Sequence, residues 1–78
     1  MNIFELLSKI KWDPNEKPEE YVIYYYDRVE NKNKEIRFTE IKEFNSSYFY
    51  IVKNGKDIAI PLHRIREVRR DGKLIWKR

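Results

Sequence analysis

Apolar residues between Asn2 and Trp12 recur at helical spacing. Ile3, Phe4, Leu6, Leu7 and Ile10 fall on one stripe. Asn2 can cap such a helix, and Glu5 three residues on completes a capping box. Pro14 disfavours helical geometry at Asp13, so the pattern predicts a stop near Trp12, with the indole sealing the core. A charged connector with two prolines follows, from Asp13 to Glu20. From Tyr21 the period changes. Tyr21 to Arg28 is β-branched and aromatic, a strand with both faces partly covered.

Asn31-Lys32-Asn33 reads as a turn into a second strand, Lys34 to Phe44. Ile36 and Phe38 alternate there, but Ile41 is out of phase, which predicts a bulge or bend near Thr39-Glu40. Asn45-Ser46-Ser47 turns into a third strand, Tyr48 to Lys53, and Asn54-Gly55 is a strong hairpin signal before a fourth, Asp57 to Ile60. Pro61 ends that strand and Leu62-His63-Arg64 reads as one tight turn. Arg66 to Arg70 and Lys73 to Lys77 form a last hairpin about Asp71-Gly72. The fold class is therefore α+β: an N-terminal helix, then a curved, mostly antiparallel sheet of about five or six short strands, able to curl into a barrel-like form. A chain of 78 residues has room for one core, so residues 1–78 are expected to be a single domain.

Composition removes several function classes. Cysteine is absent, which excludes disulfide frameworks, thiolate metal sites and cysteine nucleophiles. A single histidine is too few for a His-based metal centre, and no cofactor is expected. Glycine-rich phosphate loops, nucleophile elbows and helical His-Glu-x-x-His motifs do not occur. The longest apolar runs fall far short of the roughly 18 residues a membrane span needs, and no secretory signal is visible. The expectation is a soluble, cytoplasmic chain with no membrane partner.

Charge changes the picture more. Residues before His63 carry ten Lys/Arg against eleven Asp/Glu, whereas His63 to Arg78 carries seven against two, and five of those seven cations are Arg. Arginine presents a planar fork of donors that fits phosphate and stacks on rings. Such asymmetry points to a polyanion partner, or else to a solvated basic face. A two-residue turn at Asp71-Gly72 sets Arg70 opposite Lys73, Val68 opposite Ile75 and Arg66 opposite Lys77. Two like-charged pairs of that kind are destabilising unless an anion lies between them. On the other strand face Arg69 neighbours Leu74, and Glu67 neighbours Trp76, which leaves the indole half exposed beside an arginine. Trp76 is then either a base-stacking platform or a core residue. His63 beside Arg64 suits phosphate binding, or a backbone-bonded turn. At Asp27-Arg28, Arg28 can bind phosphate while Asp27 orients it or His63; the alternative is a strand-end ion pair. Asp13 either ends the helix or supports a site. Tyr24, Tyr25, Tyr26, Tyr48 and Tyr50 read as a stacking surface or as core.

Four blocks are familiar in combination: Trp12-Asp13-Pro14, the strand ending in Asp27-Arg28, Ile60-Pro61-Leu62-His63-Arg64-Ile65, and Gly72 followed by Trp76 and Arg78. Their order and spacing resemble the small, largely archaeal family described as the RNA cyclic-group end recognition domain, over almost the whole chain. The resemblance implies a non-catalytic module that recognises RNA ends such as a 2′,3′-cyclic phosphate, in RNA repair or processing. By position it points to Asp27, Arg28, His63, Arg64 and Trp76. Together with the charge argument, the candidate RNA and phosphate contacts are Arg28, His63, Arg64, Arg66, Arg69, Arg70 and Trp76, supported by Asp27 and Asp13. The expected partner is a single-stranded RNA end. An adaptor for an RNA-processing enzyme, or a weak cyclic phosphodiesterase using His63 and Asp27, are the alternatives.

Overall fold

The structure, a computed structural model, describes residues 1–78. Helix α1 spans Ile3–Trp12. Its start is fixed by the expected box: the Glu5 backbone N–H donates to Asn2 Oδ1 at 2.8 Å, and the Asn2 N–H donates to Glu5 Oε1 at 3.0 Å. Its end is fixed at Asp13, whose N–H still reaches the Lys9 carbonyl at 2.9 Å although its own backbone is extended. The buried stripe is Ile3, Leu6, Leu7 and Ile10. Trp12 lies off that stripe and is 73% exposed, so it does not seal the core as expected; at two residues past Ile10 it points away from the buried side. Phe4 is also displaced, 38% exposed with its ring edge-on to Phe44.

Seven strands follow: β1 (Tyr21–Asp27), β2 (Lys32–Arg37), β3 (Glu43–Phe44), β4 (Tyr48–Lys53), β5 (Lys56–Pro61), β6 (Ile65–Arg70) and β7 (Lys73–Lys77). They form two antiparallel sheets rather than one, a four-stranded sheet in the order β2-β1-β6-β7 and a three-stranded sheet in the order β3-β4-β5. The expected strand from Lys34 to Phe44 is broken in two. A 3-10 turn at Phe38–Glu40 drops Phe38 into the core and re-aims Ile41, which resolves the phase conflict read in the sequence. The split is what separates the sheets, because β3 pairs with β4 and not with β1. A second 3-10 turn, Leu62–Arg64, carries the chain back from β5 to β6.

The core lies between the two sheets and under the helix. Tyr21, Ile23 and Tyr25 alternate on the inner face of β1, Ile65 and Val68 on β6, and Phe49, Ile51 and Ile60 on the smaller sheet. Tyr25 meets Phe49 edge to face at 5.6 Å, joining the sheets directly. Phe49 is fully buried, and truncation to Ala is expected to cost about 3–5 kcal/mol. No helix is long and apolar enough to cross a membrane.

Both tight hairpins have the geometry that their dipeptides demand. Asn54 and Gly55 sit at φ 53° and 75°, Asp71 and Gly72 at 48° and 82°. The last hairpin departs from the expected register. Arg70 faces Lys73 and Arg69 faces Leu74, but a bulge follows, and Val68 then faces Trp76 and Glu67 faces Lys77. Ile75 is the extra residue. The bulge swings Trp76 to the inner face, where it packs against the core and donates its Nε1–H to the Met1 carbonyl at 3.1 Å. Only one like-charged pair survives, because the slip replaces the expected Arg66–Lys77 pair by an opposite-charge pair.

Candidate functional site

A cavity of about 300 Å³ opens between the sheets, beyond Tyr25. Its walls come from the end of β1 and the loop after it (Tyr26, Asp27, Arg28, Val29, Glu30), from the smaller sheet (Ile51, Lys53, Ile58, Ala59, Ile60), and from Arg64. One side is apolar and the rim is charged, as in sites that seat a small polar group against a hydrophobic floor.

Local structure explains why Arg28 stands at that rim. Asp27 closes β1 and turns its carboxylate back on the chain, where Oδ1 accepts the Val29 N–H at 2.8 Å and the Glu30 N–H at 3.1 Å. This Asx turn folds residues 28–31, and Asn31 at φ 56° brings the chain into β2. The other oxygen of Asp27 pairs with Lys34 Nζ at 3.1 Å. That bond from Lys34, with the backbone N–H of Val29 and the charge of Lys53, holds the Asp27 carboxyl below its ordinary range. Lys34 is correspondingly raised by Asp27. Asp27 therefore braces the loop that carries Arg28 instead of bonding Arg28 or His63 itself. Glu30, the second acid at the rim, pairs with Lys34 and with Lys32.

Arg64 reaches the rim from the opposite side, on the Leu62–Arg64 turn, which is tied down by the Leu62 N–H bond to the Ser47 carbonyl at 2.9 Å. Neither Arg28 nor Arg64 has a carboxylate within ion-pair range. The remaining sequence candidates lie elsewhere. His63 is exposed and does not line the cavity; its carbonyl accepts Arg66 Nη1 at 2.7 Å. Arg69 bonds Glu67 and donates from Nη1 to the Gly72 carbonyl at 3.1 Å. Arg70 pairs with Glu20 at 2.8 Å and Glu16 at 3.8 Å, and the Glu20 bond raises its pKa above the ordinary arginine value. Trp76 is half-buried, stacked beneath Arg78 at 5.2 Å and not beside Arg69. Asp13 is a helix-end residue whose Oδ1 accepts the Asn15 N–H at 2.9 Å.

The cavity thus gathers Asp27, Arg28 and Arg64 and leaves out Asp13, His63, Arg66, Arg69, Arg70 and Trp76. It adds Lys53, which sequence reasoning missed. The signal was present: Lys53 faces Lys56 across the Asn54-Gly55 turn, a like-charged pair of the kind sought in the last hairpin. Arg66, Arg69 and Arg70 lie over the rings of Tyr26, Tyr24 and Tyr21 at 5.7, 6.0 and 5.7 Å.

The comparisons agree with the blocks read in the sequence. Residues 1–78 match the family model described as the MJ1316 RNA cyclic group end recognition domain, and the chain belongs to that family. It is 41% identical to a UPF0248 protein of Saccharolobus islandicus over the whole of both chains. A UPF0248 protein of Saccharolobus solfataricus shares 41% identity over all of this chain and 98% of its own length. One from Thermococcus kodakarensis shares 38% over 97% of this chain and 90% of its own. No solved structure matches.

Proposed function

We propose that this chain is a non-catalytic RNA-binding module that recognises phosphate-bearing RNA ends, a 2′,3′-cyclic phosphate among them, in the cavity between the sheets, and that it serves RNA repair or processing. One observation carries the reading. Arg28 and Arg64 come from separate elements to one cavity, and neither guanidinium has a carboxylate partner. Two free arginine forks facing a small cavity suit a phosphate, which accepts charge-assisted bonds from both sides. Lys53 adds a third cation, and Ile51, Ile58 and Ile60 offer an apolar wall for the ribose or base. The acids present are already neutralised by Lys34 and Lys32, so they do not repel the ligand. The family description supports the same ligand class.

The same geometry supports recognition without turnover. His63 stands outside the cavity and the oxygens of Asp27 are occupied by Lys34 and two amides. Histidine is not among the lining residues, and both lining carboxylates, of Asp27 and Glu30, are already paired with lysines, which weighs against the phosphodiesterase alternative.

Calorimetric titration with two trinucleotides, one ending in a 2′,3′-cyclic phosphate and its 3′-hydroxyl twin, tests the proposal. The cyclic end is expected to bind about tenfold or more tightly, and Arg28→Gln with Arg64→Gln is expected to abolish that difference. Equal affinity for both, with a steep salt slope, would mean a general polyanion surface.

A second reading, docking of an RNA-processing enzyme, is favoured by the exposed Trp12. Its ring carries Lys11 Nζ at 5.0 Å, and the same ammonium lies 5.5 Å from Phe44. Loss of a co-purifying enzyme from the native lysate on Trp12→Ser, after nuclease treatment, would support it.

A further inference from the structure

The four-stranded sheet has a second face, turned away from the core. On its central strand β1 that face presents Tyr24 and Tyr26, both half-exposed and two residues apart, hence about 6.6 Å along the strand. From β6, Arg66 lies over the ring of Tyr26 and Arg69 over that of Tyr24. Both guanidinium groups are held by hydrogen bonds within the protein. Arg66 donates to the His63 carbonyl, and Arg69 donates to Glu67 and the Gly72 carbonyl. Each arginine has five N–H donors, so each retains several that point to no protein acceptor. The result is two successive ring-and-guanidinium pairs on an open sheet, each able to stack a planar ring; Arg66, which has no carboxylate partner, can also bond an anion, whereas Arg69 is paired with Glu67.

Tyr26 also lines the cavity. The cavity and the sheet face are therefore continuous, with Tyr26 at the corner and Tyr24 beyond it. We infer that the outer face of the four-stranded sheet is a stacking track for the unpaired nucleotides next to the bound RNA end, Tyr26 taking the first and Tyr24 the second. This rests on the reading of the cavity as the seat of the end. It makes the ligand class narrower: a single-stranded tail of at least two nucleotides next to the terminal one. Every base has a stackable face, so the track is sequence-tolerant. A duplex running up to the end would not fit it, because its bases are already stacked on each other.

The test measures affinity against RNA length. Cyclic-phosphate-ended RNAs of one, two, three and five nucleotides, and their 3′-hydroxyl twins, are titrated by fluorescence anisotropy at fixed salt. Wild-type protein is expected to gain about tenfold in affinity for each of the two added nucleotides and then level off. Tyr24→Leu is expected to remove the second increment, and Tyr24→Phe to retain it. Neither is expected to change the preference for the cyclic end. Affinity that does not depend on length, or increments indifferent to Tyr24→Leu, would overturn the track while leaving end preference as an independent readout of the cavity. Loss of end preference with the increments intact would sink the cavity reading instead. Amide spectra of labelled wild-type protein supply a check free of substitutions: the trinucleotide, and not the mononucleotide, is expected to shift Tyr24 and Arg69. An oligoglutamate that shifts them equally would overturn stacking in favour of simple charge attraction.

Discussion

The last hairpin and the cavity rim hold the same side chain in two conditions. On the hairpin side, Arg70 and Arg78 are engaged with acceptors inside the molecule: Glu16 and Glu20, and the carbonyls of Leu62 and Ile65. At the rim, Arg28 and Arg64 face a cavity with no carboxylate in reach. A guanidinium with its acceptors in place contributes to the fold, and one without them is available to a ligand. The number of cations in a segment cannot make that distinction. The positive excess of residues 63–78 overstates what the hairpin has to offer, whereas Arg28, with no carboxylate partner, stands in the part of the chain with no excess.

Four measurements can break or sharpen this contrast. Removing the rim pair with Arg28→Gln and Arg64→Gln is expected to lower affinity for a phosphate-ended RNA by at least about a hundredfold, from two charge-assisted contacts of about 1.5–3 kcal/mol each. Thermal stability should not move; a large fall in Tm would show that the rim arginines are structural after all. The reverse is expected of Arg78→Ala. Its Nε and Nη2 bond the Ile65 and Leu62 carbonyls at 2.9 and 3.3 Å, so the loss should appear in urea unfolding as about 1–3 kcal/mol. RNA affinity should change less than about threefold, and a hundredfold change here would erase the contrast.

Asp27→Ala sits between the two, since it touches the fold only where the fold holds a rim arginine. It is expected to cost about 1 kcal/mol and to weaken end binding several-fold, while Asp27→Asn, which keeps an acceptor for the Val29 and Glu30 amides, should restore most of the binding. Titration gives the smallest effect. The folded Asp27 lies below its unfolded value of about 3.9, so its stabilising contribution is present above that value and is lost as pH falls through the lower folded one. The Val29 amide resonance should report a midpoint below about 3.9. A midpoint at or above it would mean that Lys34 does not brace the loop in solution.

How much of this was legible in the sequence depends on the range of the interaction responsible. The helix, its capping box and both type I′ hairpins were readable because dipeptides and three-residue spacings determine them. The division into two sheets was not. It depends on Phe38 leaving its strand to enter the core, a preference set by residues distant in sequence. The bulge at Ile75 escaped for a similar reason, since Trp76 is drawn inward by the core and by a carbonyl at the other end of the chain. At the site, Asp27, Arg28 and Arg64 were named in advance, the sequence blocks having marked them. The separation of Arg64 from His63 follows from the tight turn read at Leu62-His63-Arg64, because adjacent residues on a 3-10 turn point in different directions. Lys53 was legible and overlooked.

The bond from the Trp76 indole to the Met1 carbonyl joins positions 75 apart in sequence, and it clasps the start of α1 to β7. Such a contact bears on the order of events during synthesis. A chain emerging from the ribosome makes its helix first, yet that helix cannot be clasped until the last strand has cleared the exit tunnel. Closing so long a loop costs entropy that only the finished sheets can offset. Cutting the chain before Trp76 is therefore expected to be felt first at the opposite end, as faster amide exchange in α1.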